Sequence, residues 1–425
     1  MIYRWELGNG AELVAEDIPY VKSAAVGIYI KVGSRYETPS LAGASHFIEH
    51  MLFKGTPDRT ARDIAESMES MGGQLNAYTA KEHTCFYART LDEDIFTAVD
   101  ILFDMVFNSS LAPSDFDVER QVIIEEINMY EDTPDELIHD IFARKFWEGH
   151  NLGNSILGSS ISIGAMDREE LYNYYRQYYV PSNMVISVAG NIEPLRIKDY
   201  IGDKLGMYGG QIPVDLLEPP YLNQPFIQMV PKDVEQLQIC MGVPGLSYHD
   251  EDRFAQNVMN SILGGGMSSR LFQKLREELG LAYSVYSYPA SYSDTGMLSI
   301  YIGTSPAHID KFCRNLHEQI EQFVEQGVTA EEVSRTQKLM KSSLSLGLES
   351  VMGRMTRIGK AVMMYDDIMT LEEIISRIYA VDAGMIQGMA RKLFNGQPFS
   401  IAAIGSEAAL PVVEQELAQW WGNQR

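Results

Sequence analysis

The chain repeats itself, and that repeat limits its architecture more than any other feature. Met51-Leu52-Phe53-Lys54-Gly55 resembles Ser261-Ile262-Leu263-Gly264-Gly265 at an offset of 210 residues. Ser182-Asn183-Met184-Val185-Ile186-Ser187-Val188-Ala189-Gly190 resembles Gln397-Pro398-Phe399-Ser400-Ile401-Ala402-Ala403-Ile404-Gly405 at 215, and Val118-x-Arg120 matches Val333-x-Arg335 at the same 215. A chance likeness of apolar patterns can explain any single match, but it explains three in the right order poorly. Two copies of one α+β unit, each of about 200 residues, account for all of them.

Proline and glycine gather between the copies, at Gly209-Gly210, Pro213, Pro219-Pro220 and Pro225, as they do at domain boundaries. The expected fold is α+β: two homologous α/β-sandwich-type halves, each a mixed or antiparallel sheet packed with helices. Their bounds are 1–210 and 226–425, with 211–225 as linker. Within the first half, apolar alternation predicts strands over Glu12–Ala15, Ala24–Val32, Gln74–Thr79, Thr84–Leu91 and Met184–Ala189. Helical spacing predicts helices over Ala44–Phe53, Ala61–Met71, Asp92–Phe107, 115–130, 134–147 and 167–178.

The first half holds His46-Phe47-Ile48-Glu49-His50. On a helix His46 and His50 lie one turn apart on one face, with Glu49 beside them. Imidazoles at that spacing can share a metal ion, in an order that reverses the commoner zinc-protease helix. The same five residues on a solvated helix would be inert, so a second signal is needed.

That signal comes from the predicted helix 115–130, where Glu119 and Glu126 share a stripe with Val122, Ile123 and Tyr130. A carboxylate aimed into an apolar face is costly unless a cation or donor meets it. A hydrolytic zinc site takes three protein ligands and leaves a fourth position open. His46, His50 and Glu126 supply such a set, for one Zn²⁺ per chain. Glu49 is then free as the general base, taking a proton from the attacking water and passing it to the leaving amine. Glu119 stands behind them, orienting a histidine or the water network. Glu125 falls on the neighbouring, solvated face.

By the repeat offsets, His46, Glu49 and His50 fall opposite Gln256, Met259 and Asn260, and Glu126 opposite Lys341. The second half keeps the pattern and lacks the ligands. The other histidines, His83, His139, His150, His249, His308 and His317, have no partner at ligand spacing and read as surface or packing residues. Gly264-Gly265-Gly266 with Ser268-Ser269 lacks the Gly-Lys-Ser/Thr ending of a nucleotide loop and reads as a turn between helices.

A net charge of −24, spread along the chain, argues against nucleic acid or an anionic membrane surface as partner. No apolar stretch approaches the roughly 20 residues of a membrane-spanning helix, so membrane insertion is not expected. Three scattered cysteines (Cys85, Cys240, Cys313) suggest reduced thiols. With no signal-like start, they make a cytoplasmic protein the expectation.

Taken with its motifs, the sequence resembles the pitrilysin or insulinase family, and most of all its processing-peptidase branch. The likeness runs over nearly the whole chain. It includes His46 to Thr56, Gly73-Gln74-Leu75-Asn76-Ala77-Tyr78-Thr79, Glu119-Arg120-x-Val122-Ile123-x-Glu125-Glu126-Ile127, Ser268-Ser269-Arg270-Leu271-Phe272 and Leu275 to Tyr283. The resemblance implies zinc on His46, His50 and Glu126, Glu49 as base and Glu119 in support. It further implies that the strand around Asn76 and Ala77 pairs with an extended peptide, by main-chain bonds at an open sheet edge. Arg276 and Tyr283 match the family's pair that grips the substrate backbone; as plain structure they would be a helix arginine and a core tyrosine.

In that family four such units close around a peptide, so a two-unit chain needs a partner. A homodimer is the first expectation, with Arg276 and Tyr283 reaching the partner's zinc. A heterodimer with an inactive relative is the second. The expected activity is a zinc endopeptidase cutting unfolded peptides or presequence-like segments within a closed chamber. A non-catalytic structural or peptide-binding subunit of the same family is the alternative.

Overall fold

The computed structural model describes residues 1–210, 212, 217–221 and 223–421. The expected linker 211–225 thus lies partly outside the described residues. The first half runs β1 (Ile2–Glu6), β2 (Glu12–Asp17), β3 (Ser23–Ile30), α1 (Ala44–Leu52), α2 (Ala61–Ser70), β4 (Gln74–Thr79), β5 (Thr84–Leu91), α3 (Ile95–Asn108), α4 (Pro113–Glu131), α5 (Pro134–Phe146), α6 (Ser160–Ala165), α7 (Arg168–Tyr178), β6 (Met184–Gly190) and α8 (Pro194–Leu205). The second runs β7 (Ile227–Pro231), β8 (Leu237–Pro244), α9 (Arg253–Leu263), a π-helical segment (Phe272–Glu278), β9 (Ala282–Ser291), β10 (Gly296–Thr304), α10 (Ile309–Gln326), α11 (Ala330–Gly347), α12 (Val351–Tyr365), α13 (Leu371–Tyr379), α14 (Ala383–Phe394), β11 (Ser400–Gly405) and α15 (Leu410–Trp421).

The repeat is visible in the sheets. One has the order β1-β2-β6-β3-β5-β4, the other β7-β11-β8-β10-β9. Each contains one parallel pair, β2 with β6 and β7 with β11, and is otherwise antiparallel. Strand for strand the second sheet copies the first without the edge strand β1. The halves are α+β and mixed-sheet, as expected.

The compact units differ from the linear halves 1–210 and 226–425. The first unit comprises Met1–Met129, Asn154–Glu218 and Ser345–Met369; the second comprises Tyr130–Gly153, Pro219–Leu344 and Thr370–Arg425. Helix α5 therefore belongs with the second sheet and α12 with the first. The physical reason is that both sheets are buried on two faces. Along β3, Ala24, Val26, Ile28 and Ile30 enter the main core with α1 and α3, while Ala25 and Tyr29 point to the other face. There Val351, Met355, Ile358 and Val362 of α12 cover them. In the second unit Ile138, Phe142 and Phe146 of α5 cover Cys240, Met297, Ala402 and Ile404 in the same way. These helices are counterparts in the repeat.

Helix α12 lies close enough to the first sheet to exclude side chains at two points. A Cβ on Gly359 would sit 2.4 Å from the Tyr29 ring, and one on Gly27 would sit 2.6 Å from Met355 Sδ. Ser187 Oγ donates to the Met355 carbonyl at 2.7 Å, and Arg354 pairs with Glu16 at 2.6 Å. Among the described residues, no single helix is long and apolar enough to cross a membrane. The three cysteines are free and buried.

Candidate metal centre

Gly43 caps the N-terminus of helix α1 with a φ of +95° that suits glycine, and a Cβ there would meet the Leu157 carbonyl at 2.7 Å. Its first N–H groups are met by a carboxylate rather than by a neighbouring hydroxyl. Gly43 N and Ser45 N both donate to Glu37, each at 2.7 Å. Glu37 is buried, and desolvation pushes its carboxyl up to about 7 against the pull of those two amides. Phe47, Ile48, Met51 and Leu52 anchor the helix in the core.

Helix α4 crosses near α1 with Phe116, Glu119, Ile123 and Ile127 buried. Val122, expected in this stripe, is 45 % exposed. At about 100° per residue the buried face centres on Ile123, which puts Val122 on the far rim and Glu126 at the near edge. Helix α4 also starts at Pro113, two residues before the expected position and with proline in its first turn.

His46, His50 and Glu126 converge, each offering a ligand atom within 4.8 Å of the others. Glu126 Oε2 lies 3.7 Å from His46 Nε2 and 3.5 Å from His50 Nε2. Those separations are too long for N–H···O hydrogen bonds. They suit donors sharing one ion, since two bonds of about 2.0–2.1 Å at a tetrahedral angle leave their atoms about 3.3 Å apart. Burial, aided by the neighbouring His50, drives the His46 imidazole down to about 3, so it is neutral and able to ligate at neutral pH. Among the described residues, buried His46 Nδ1 has no hydrogen-bond partner. The set of two imidazoles and one carboxylate fits zinc.

Behind His50, Glu119 Oε2 lies 3.1 Å from Nδ1, and Glu119 Oε1 lies 2.6 Å from Lys54 Nζ. A carboxylate accepts, so Nδ1 carries the proton and Nε2 keeps its lone pair for the site. Glu49 accepts a 2.5 Å hydrogen bond from Thr79 Oγ1 on β4. Burial raises the Glu49 carboxyl above the usual range, while Thr79 and His50 oppose that rise. A carboxyl raised above its ordinary range and lying beside the ligand set is placed to take up a proton.

Strand β4 ends its sheet, so Asn76 and Ala77 lie on an edge whose outer side no named strand covers. Ala77 N donates to Asn76 Oδ1 at 2.8 Å. Arg276 and Tyr283 lie together in the second unit. The guanidinium, on the π-helical segment, is 5.8 Å from the Tyr283 ring centroid. Tyr283 is 74 % exposed and so is no core tyrosine. Opposite the ligands, Gln256 is buried and caps Leu246 N at 3.0 Å, a structural task. Among the described residues no second ligand cluster is present. His139 proves to be a packing residue, held between the Tyr288 and Tyr286 hydroxyls at 2.6 and 3.1 Å. Sequence reasoning gave Lys54, Thr79 and Glu37 no role. The first two lie inside recognisable motifs, whereas nothing near Glu37 marks it.

Residues 12–160 match the family model described as insulinase (peptidase family M16), and residues 165–340 match that described as peptidase M16 inactive domain. The uncharacterized zinc protease YmxG of Bacillus subtilis is 41% identical over 411 residues, covering 97% of this chain and 100% of that one. The chain belongs to the pitrilysin/insulinase (M16) peptidase family. A second M16 relative, the uncharacterized zinc protease SCO5738 of Streptomyces coelicolor, is 37% identical over 418 residues, covering 95% of this chain and 89% of that one. The fold matches the crystal structure of a protease from Helicobacter pylori with a TM-score of 0.89 at 19% identity, over 95% of this chain and 99% of that one. In this M16 chain the insulinase match spans all three candidate ligands. The inactive-domain match spans Gln256, Met259 and Asn260, which stand opposite His46, Glu49 and His50.

Proposed function

We propose that the chain is a zinc-dependent endopeptidase with one zinc per chain, held by His46, His50 and Glu126. The observation that carries this reading is the pair of 3.5 and 3.7 Å separations between imidazole and carboxylate donors, spaced for a shared ion. When bound, zinc supplies Lewis acidity to a water and to a substrate carbonyl. Glu49 takes the proton that the attacking water loses and returns it to the leaving amine. Glu119 fixes the tautomer and direction of His50. The open edge of β4 at Asn76 and Ala77 receives an extended peptide backbone, which favours unfolded or presequence-like substrates over folded ones.

Arg276 and Tyr283, an exposed cation and phenol within reach of each other, are suited to grip a peptide carbonyl. We assign them to the zinc site of a second copy in a homodimer that encloses the substrate. A heterodimer with an inactive relative is the other arrangement. Free, buried thiols are compatible with a reducing compartment such as the cytoplasm.

Cleavage of a mixed peptide library, with and without chelator, tests the activity together with Glu49→Gln. The variant is expected to keep its zinc and lose cleavage. An active Glu49→Gln protein would overturn the mechanism. A metal-free wild type insensitive to chelator would favour a non-catalytic subunit.

A further inference from the structure

We propose that Lys54 is a positioning residue for the metal centre, acting on His50 through Glu119. The inference rests on the zinc reading above and adds a residue to it. Lys54 lies four residues after His50, just beyond the end of α1, with its N–H on the Met51 carbonyl at 3.1 Å. Its ammonium meets Glu119 Oε1 at 2.6 Å, while Glu119 Oε2 faces His50 Nδ1 at 3.1 Å. The Glu119 side chain is only 4 % exposed. A carboxylate so buried needs a cation to remain in place, and among the described residues Lys54 is the ammonium or guanidinium paired with it.

Each oxygen of Glu119 therefore has its own task. One is pinned by the ammonium, so the other is aimed and cannot rotate toward solvent. The same contact joins α1, which carries both histidines, to α4, which carries Glu126. Lys54 thereby sets both the orientation of one imidazole and the spacing between the two helices that hold the ligand set.

The repeat provides an internal control. At the offset of 210 Lys54 falls opposite Gly264, and at 215 Glu119 falls opposite Ser334. The second half keeps the same strand order and the helices α9 and α11 without this ion pair. The scaffold does not require the pair. It is present in the half that holds the ligands and missing from the half that does not.

Zinc affinity of the metal-free protein, measured by competition with a chromogenic chelator, tests the assignment without reference to turnover. Lys54→Met is expected to weaken zinc binding about ten- to a hundredfold, the usual effect of removing a group behind a ligand. Lys54→Arg should recover most of the loss, since a guanidinium can meet the same carboxylate. Glu119→Gln should weaken binding similarly, and Lys54→Met in that background should cost nothing more. Thermal unfolding of each metal-free variant reports on folding separately. Wild-type affinity in Lys54→Met, or an equal loss in both backgrounds, would sink the proposal. A wild type that takes up no zinc would instead overturn the underlying zinc reading.

Discussion

Thr79 Oγ1 donates a 2.5 Å hydrogen bond to Glu49 Oε2, tying the edge strand β4 to the acid on α1. The strand proposed to align the peptide thus also orients the group proposed to move the proton. Burial lifts the Glu49 carboxyl, and the Thr79 donor, which favours the charged form, holds it back. Thr79→Val should lower kcat about tenfold or more, since a hydrogen bond to a charged group contributes about 1.5–3 kcal/mol. KM should change little. As the proposed base, Glu49 would have to be ionised, so losing the donor should move the acid limb of the pH–rate profile to higher pH. An unmoved limb would show that Thr79 does not touch the working base.

Glu37 offers a test in the metal-free protein. Its folded value of about 7 lies above the roughly 4.3 of an unfolded glutamate. Between those values the folded chain keeps a proton that the unfolded chain has lost, so this contribution to stability declines as pH rises through that window. Glu37→Gln should flatten that decline when unfolding is followed from pH 5 to pH 8. At pH 8, where Glu37 is ionised, it should also destabilise the protein by about 1–3 kcal/mol, because Gly43 N and Ser45 N bond to different Glu37 oxygens and an amide has an NH2 in place of one of them.

The contact between α12 and the first sheet is testable by adding one methyl group. Gly359→Ala places a Cβ 2.4 Å from the Tyr29 ring and 2.9 Å from Ser187 Cβ. Overpacking of this kind costs about 1–3 kcal/mol, to be read from the urea midpoint. A variant as stable as the wild type would mean that α12 does not approach so closely.

If Arg276 and Tyr283 serve the zinc site of a second copy, two inactive variants should complement each other. Glu49→Gln mixed with an equal amount of an Arg276→Ala, Tyr283→Phe variant should regain about a quarter of wild-type cleavage. Half of the dimers would be mixed, with one intact site of two. Each variant alone should stay inactive while keeping its zinc. No recovery after subunit exchange would place the pair in the same chain's site or outside the chemistry.

Geometry that depends on spacing along one element was legible, as the convergence of His46, His50 and Glu126 shows. The helical turn places His46, Glu49 and His50 together on α1, and a carboxylate on an apolar face pointed to Glu126 on α4. The repeat revealed two copies of one α+β unit, because elements at matching positions must answer to similar burial; the strand order within each sheet came only from the structure. What stayed hidden depends on contacts between distant segments. Nothing in the amphipathic pattern of α5 or α12 states which sheet each will cover. Glu37 reaches the start of α1 across a loop, and no local rule links the two. Val122 was misassigned because a stripe counted in whole turns ignores where the buried arc is centred.

The exchange of α5 and α12 bears on how the protein is made. A chain emerging from the ribosome would have every strand of the first sheet, and every candidate zinc ligand, by residue 190. The helix that roofs the sheet's second face ends only at Tyr365. Until then Tyr29 and its apolar neighbours lack the α12 side chains that cover them, and the nascent polypeptide presents a sticky surface to chaperones or to other copies. Completion of the lobe that holds the candidate ligands therefore waits on translation of most of the lobe without them.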